Sequence, residues 1–564
     1  MASLPDDVLS HIFSFLPHET LIQCRFLNRS VEPLASALAF RHVHLETGLD
    51  VNSFLNIAGS ERLRPLVREL TLSLSRTAAP PNNGLEHGVR IQRYLRTIRV
   101  LPLVRLLVGL RTLNVRFSRA KSYTGDHGRW MSDDIALLTD QQGQTPICIT
   151  TIYMETILKC LSGSWTRESQ ALWEHGWDKW FAPRAERLQS YLSLEISTQA
   201  NPESSSTTQH FPDTGINLSS LTVSNLSEKD AEYLMSSATL KRFLETQSLS
   251  KMQLLTNSGK HDRGYDPGSL LWNRYRFFED LPSTWLSPSI SDRLRTLSLY
   301  SHDYWGWCPK VDFRVLSQGP NGTGGLCNLR TLALGRYVFS HQWQIDWIAG
   351  LGSDNGRGGL EELYLDDCPI MWRARVLGPV DSEGFPQEEV MTREDVHPSS
   401  WNPITLEIDL RWGTVLPEWQ QKMQHLKVFR MGYGDWDGKC SGDVAMAKTA
   451  SRARVVQGAY EVAKRGNEDT IHMHYDKYSM NDRHKHGYEI IRDGVGLSQK
   501  RECLLQYVHF EIALGASPWV ERDFKEALIN EFEDGYQRYE AARRQDEEAL
   551  HALYVATGCP SPVF

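Results

Sequence analysis

The sequence predicts an α/β protein: a short all-α N-terminal segment, an irregular array of strand-and-return units, and a closing C-terminal helix. Three observations predict it. Residues 4–45 hold two amphipathic runs separated by Pro17. After them the phrase L-x-x-L-x-L recurs along the chain. Near the end, apolar residues return every fourth position against a strongly charged background.

In the first run Pro5 follows Leu4 and opens apolar pairs at Val8/Leu9 and Ile12/Phe13, with Leu16 beyond them. That spacing lays an apolar stripe along a short helix. Proline suits a first helical turn, where its missing N–H has no partner to lose, and Asp6 and Asp7 meet the positive end of the helix dipole. Pro17 stops the turn, because the residue before a proline is pushed out of helical geometry. The second run carries Leu21, Ile22, Phe26, Leu27, Val31 and Leu34, and residues 40–45 (FRHVHL) read as a short extended piece. So small a hairpin cannot bury its apolar face alone. It either packs on the rest of the chain as a private cap or docks on a second protein.

The opening Leu4-Pro5, Leu9, Ile12-Phe13, Leu16, Leu21, the Leu27-Asn28-Arg29 turn and the closing FRHVHL block resemble an F-box. One departure is Val31-Glu32, where that family often has Trp shortly after the Arg. The resemblance implies an F-box over residues 1–46 whose helices bind a Skp-type adaptor and, through it, a cullin–RING ubiquitin ligase. It places Leu4, Pro5, Leu9, Ile12, Phe13, Leu16 and Leu21 at the adaptor contact. A receptor of this kind does no bond chemistry; it raises the local concentration of an acceptor lysine on a bound client.

The recurring phrase is clearest at 110–115, 294–299, 329–334 and 360–365, with looser copies at 67–72, 218–223 and 426–431. Its last two apolar residues alternate like a half-buried strand, and its first turns into that strand. The pattern resembles the leucine-rich repeats often joined to an F-box. Three residues past the last apolar position that family has Asn or Cys, whose side chain bonds the turn backbone. Cys368 fits; Ser75, Ser118, Leu226, His302, Tyr337 and Gly434 do not. The resemblance implies an irregular leucine-rich-repeat-like solenoid over 47–515, with loop insertions near 199–215 and 376–403. A non-repetitive α/β domain with similar strands is the alternative.

On such a solenoid the residues alternating with the buried ones face a binding surface. Those are Thr112, Asn114 and Arg116; Thr296, Ser298 and Tyr300; Glu362, Tyr364 and Asp366; and Val428 and Arg430. Arg116, Tyr300, Tyr364, Asp366 and Arg430 are the candidates for holding a client protein, Tyr and Arg being the types that dominate binding energy. At the C-terminus Ser517 and Pro518 offer a helix start, and Phe524, Leu528, Phe532 and Tyr536 an apolar stripe, which makes 516–564 a capping helix and tail.

The chain has 564 residues, 41% hydrophobic and 23% charged, as an ordinary soluble protein does. Its net charge of −8 argues against nucleic acid as the main partner. No window approaches the ~18 uninterrupted apolar residues of a membrane span. Nine scattered cysteines without a C-x-x-C pair, and no secretory signal, read as reduced thiols in the cytoplasm or nucleus. Seventeen tryptophans pack a core or fill an aromatic groove.

No nucleophile elbow, zincin, Walker or dinucleotide phrase stands in a fitting context, and Asn321–Gly325 lacks the Lys-Ser/Thr of a phosphate loop. His472, His474, Asp476, Asp482, His484 and His486 have metal-ligand spacing, but lie in a polar stretch between Gly466 and Gly487 that reads as a solvated loop. No cofactor or metal is expected. The alternatives to a ligase receptor are an F-box scaffold without a degradation role, or a metal-binding or enzymatic protein using the 472–486 cluster.

Overall fold

A computed structural model of the chain describes residues 4–46, 50–74, 96–117, 149–176, 215–227, 234–257, 275–318, 325–387, 402–432, 472–473, 505–512, 519–520 and 533–559. They divide into two compact units, one built on Met1–Asn225 with Ser236–Leu249, the other on Ser250–Cys440 with Val444–Phe564.

In the first unit Pro5 sits at the N-cap of α1 (Asp6–Phe13) and Pro17 at that of α2 (His18–Cys24). The second apolar run is broken, since Phe26 to Ser30 form turns before α3 (Glu32–Ala39) begins. Three residues after its end β1 (His42–Glu46) starts, in the place expected for the extended piece. A helix α4 (Val51–Gly59) leads to β2 (Glu69–Leu74), and β3 (Thr112–Phe117) and β4 (Ser220–Ser227) follow. All three pairings from β1 to β4 are parallel, with His42 opposite Glu69, Glu69 opposite Thr112 and Thr112 opposite Ser220.

The second unit repeats the scheme. Strands β5 (Lys251–Asn257), β6 (Thr296–Trp305), β7 (Thr331–Tyr337), β8 (Glu362–Asp366) and β11 (Val428–Gly432) pair in parallel, with Lys251, Thr296, Thr331, Glu362 and Val428 in register. Every clear copy of L-x-x-L-x-L is thus a strand with its turn-in. Its apolar positions point inward: Leu110, Leu113 and Val115 are fully buried, as are Leu329, Leu332 and Leu334. The residue just before each strand anchors the next rung. The Arg41 carbonyl accepts N–H bonds from Arg68 and Glu69 at 2.8 and 3.0 Å, and those of Arg68, Arg111, Arg295, Arg330 and Glu361 repeat the pattern.

Strand exits share a second feature. Asn225, Arg336 and Asp367 all adopt positive φ (58°, 59° and 56°), each two residues past the last apolar position of its copy. This conformation is disfavoured for residues with a Cβ. Asn225 is held by a bond from its Nδ2 to the Phe117 carbonyl, and Arg336 and Asp367 by their own ion pair at 3.1 Å. One residue further, the buried Cys368 thiol donates to the Leu334 carbonyl of the neighbouring strand at 3.3 Å.

The solenoid expectation is nonetheless narrowed to a mixed α/β fold with parallel sheets. The returns are too unequal for a regular repeat, with elements as different as the four-residue helix Pro288–Ser291 and the 13-residue helix Ile149–Leu161. Nor do the other strand exits share Cys368's thiol bond, because their side chains differ.

A second, smaller sheet was not foreseen. In it β9 (Ile370–Val376) pairs antiparallel with β10 (Ile404–Glu407) and parallel with β13 (Leu505–Ile512), and two-residue strands β12 (His472–Met473) and β14 (Trp519–Val520) pair with β13. The expected helix start at Pro518 is therefore corrected: the next two residues are strand, and the helix runs Gly535–Ala556. Tyr536 is exposed, and the inward stripe is Tyr539, Ala549, Leu550, Leu553 and Tyr554; Phe524, Leu528 and Phe532 lie outside the described residues. Asp546, fully covered, accepts from the Gly413 N–H (2.6 Å) and the Tyr507 hydroxyl (2.8 Å). It thereby caps the helix Trp412–Lys422, whose own preceding residue offers no side-chain cap.

Among the described residues, tryptophans of this unit such as Trp285, Trp305, Trp307, Trp412 and Trp419 are buried packing residues. Ring contacts run from Phe278 to Trp305, Tyr337, Phe339, Trp419, Phe429 and Tyr554, each centroid pair 4.8–6.5 Å apart. On the opposite face Gly335 is needed because Tyr300 lies across it, and a Cβ there would sit 1.9 Å from Tyr300 Cδ2. Gly335→Ala should cost about 1–3 kcal/mol through overpacking. In a Tyr300→Ala background the same change should cost under about 1 kcal/mol, and chemical denaturation of the four cycle members measures the coupling.

Candidate functional site

The N-terminal hairpin sorts its apolar residues into two stripes one position apart. Leu9, Phe13 and Leu16 turn inward and join Leu21, Cys24, Val31, Ala35 and Ala39 in a small private core. Leu4, Val8, Ile12 and Phe15, spaced by four, four and three, turn outward and are exposed. Phe15 is 75% exposed, and the turn after α2 adds Phe26 at 76% and Leu27 at 68%. So many large apolar side chains left in water on so short a segment mark a contact surface.

Of the seven residues expected at the adaptor contact, Leu4, Pro5 and Ile12 are accessible. Leu9 and Leu16 are half-buried against the core, while Phe13 and Leu21 are buried in it. That is a correction: Phe13 and Leu21 hold the hairpin together and offer no surface to a partner. Sequence reasoning missed Val8, Phe15, Phe26 and Leu27. Phe15 is out of step with the 9/13/16 stripe, and Phe26-Leu27 is an apolar pair beside a turn-forming Asn28, so the signal was present.

Polar contacts brace the back of the hairpin. Asn28 Oδ1 accepts from the Val31 N–H at 2.8 Å and fixes the entry to α3. Ser36 Oγ donates to Glu32 Oε1 at 2.6 Å, and Arg62 Nη1, from the turn after α4, donates to the same oxygen at 2.7 Å. Arg25 Nε donates to Ser36 Oγ at 2.9 Å while its guanidinium stacks 4.7 Å from the Phe40 ring. The Ser36 hydrogen bond, followed by the Arg62 and Arg25 charges, holds the Glu32 carboxyl below its ordinary value.

The five client candidates are brought partly together but not to the surface. Tyr300 and Tyr364 join Leu255, Ala333 and Val428 in one cluster, and the Arg430 guanidinium lies 5.5 Å from the Tyr364 ring. Arg116 belongs to the first unit. Arg116, Tyr300, Tyr364 and Asp366 are all buried, and Arg430 alone is half-exposed. The alternation predicted an open surface, whereas these four side chains are buried. Of the histidine cluster, His472 lies in β12 and the rest is outside the described residues. Among the described residues no group of three or more His, Cys, Asp or Glu is placed to hold a metal ion.

Residues 1–38 match the F-box domain family. No curated protein sequence matches the chain. The N-terminal hairpin is therefore an F-box domain, a module that binds Skp-type adaptors of cullin-based ubiquitin ligases and that typically belongs to their non-catalytic subunits.

Phe13→Ala and Leu21→Ala should each destabilise the hairpin by about 2–5 kcal/mol. Phe26→Ser and Leu27→Ser should leave the unfolding transition within about 0.5 kcal/mol of wild type, since both side chains already face water. Glu32 supplies a pH test. Its folded value is lowered, so its contribution is present above the ordinary carboxyl range and is lost as the pH falls through the folded value. Glu32→Gln should flatten that acid limb in a stability-against-pH series.

Proposed function

We propose that this protein is the substrate-recognition subunit of a Skp–cullin–F-box ubiquitin ligase, working in the cytoplasm or nucleus. The observation that carries the proposal is the F-box match over a hairpin whose outward stripe, Leu4, Val8, Ile12 and Phe15, has no use inside the chain's own core. That stripe, with Pro5 and the Phe26-Leu27 turn, is the adaptor surface. The strand ladder beyond it is an irregular leucine-rich-repeat-like scaffold, supported by the recurring rung bonds and by Cys368, and it presents a client protein for modification and degradation. Arg430 is the one expected client residue with an accessible side chain.

The receptor supplies position, not chemistry. A client lysine held near a charged conjugating enzyme reacts at the high effective concentration that tethering provides. A pull-down of purified Skp-type adaptor by the full-length protein tests this. Wild type should bind, and Leu4→Ala/Pro5→Ala or Ile12→Asp should each weaken binding by about 2 kcal/mol or more, roughly thirtyfold, with folding unchanged. Absence of binding by well-folded wild type would make the outward stripe something other than an adaptor surface.

A further inference from the structure

Lysine is absent from residues 1–120. The first is Lys121, although the same stretch holds 15 arginines. The remainder of the chain has 29 arginines and 17 lysines. At that ratio five or six of the fifteen would be lysine, so a uniform preference for arginine does not account for the split.

Among the described residues, the structural roles of the exposed arginines do not account for it either. Arg62 is 61% exposed and gives Glu32 one contact from Nη1. Arg68 Nη1 makes one 2.8 Å bond to the Gly109 carbonyl, and Arg111 Nη1 one of 2.8 Å to the Asn217 carbonyl. Arg29 and Arg41 are exposed. A single-point donor on an exposed stem is a task an ammonium performs as well as a guanidinium. Arg25, stacked on Phe40, and the buried Arg105 and Arg116 do use shape or hydration properties special to arginine.

What lysine would add at these points is nucleophilicity. A neutral lysine amine attacks the thioester carbonyl that joins the ubiquitin C-terminus to a cysteine of the conjugating enzyme. The C–N isopeptide bond forms, the C–S bond breaks, and the departing thiolate takes up the amine's proton. A guanidinium stays protonated and offers no lone pair for that attack. The arginines in question sit on or beside the F-box: Arg29 in its turn, Arg41 between α3 and β1, and Arg62 paired with Glu32 of α3.

Resting on the ligase-receptor reading above, we propose that the absence of lysine from residues 1–120 withholds ubiquitin acceptors from the part of the receptor nearest the adaptor, so that the ligase spares its own receptor. Lysines appear elsewhere, for example Lys159 and Lys427, and serve as the native comparison.

The test is a reconstituted ligase containing the full-length receptor, adaptor, cullin, RING protein and ubiquitin-charged conjugating enzyme, with no client. Wild type is compared with Arg41→Lys, Arg62→Lys and Arg111→Lys for adaptor affinity, thermal midpoint, rate of self-modification and modified positions by mass spectrometry. The variants should match wild type in folding and adaptor affinity, acquire ubiquitin at the new lysine, and be self-modified several-fold faster. New lysines that stay unmodified, or that react no faster than Lys159 and Lys427 do in wild type, would overturn the proposal. A wild type that fails to bind adaptor is seen separately in the affinity measurement and overturns the receptor reading on which the proposal rests.

Discussion

The carbonyl just ahead of each strand sets the register on which the rest of the fold depends. By accepting two consecutive N–H groups from the next copy, the oxygens of Arg41, Arg68 and Arg111 in the first unit, and of Arg295, Arg330 and Glu361 in the second, fix where each strand begins. A slip of one residue would turn every leucine of L-x-x-L-x-L outward. With the rungs fixed, the leucines within each unit stack in rows and run into the strand exits. There Asn225, Arg336 and Asp367 take up a left-handed turn that their side-chain bonds stabilise.

The same device joins the F-box to the first sheet. Helix α3 ends at Ala39, and two residues later the Arg41 carbonyl is already the first rung. Glu32 of that helix is tied to Arg62 beyond α4, and Arg25 bridges Ser36 and Phe40. No flexible spacer separates the adaptor-binding helices from the first strand. The ion pair itself is largely exposed and worth little alone; the continuity of the backbone does most of the coupling. The hairpin's six-residue buried core is small, which is why its inward and outward stripes are so sharply divided.

Burial of both faces governs the second unit. Below its sheet the rings from Phe278 to Tyr554 form one continuous contact, and above it Tyr300 covers Gly335 while Arg430 covers Tyr364. The C-terminal helix belongs to this packing: Tyr554 receives the Met431 N–H of β11, and Asp546 caps a helix more than a hundred residues earlier. A carboxylate so placed is satisfied by two donors, which offsets the cost of burying it.

The sequence by itself determined the local pieces: the Leu-Pro helix entry and the break at Pro17, the strand at each leucine phrase, and which residues of a strand share a face. Those follow from short-range rules of spacing, proline geometry and side-chain alternation. Tertiary structure decided which of two adjacent apolar stripes on α1 faces the core, because Leu9/Phe13/Leu16 and Leu4/Val8/Ile12/Phe15 are equally apolar and only docking on α2 and α3 separates them. It decided the second sheet, whose β9 and β13 are more than a hundred residues apart, and the late start of the C-terminal helix, where pairing with β13 overrides a good local helix signal. It also decided that Tyr300, Tyr364 and Asp366 are covered. Alternation fixes which side of a strand a residue occupies; whether that side meets water depends on what distant chain lies across it.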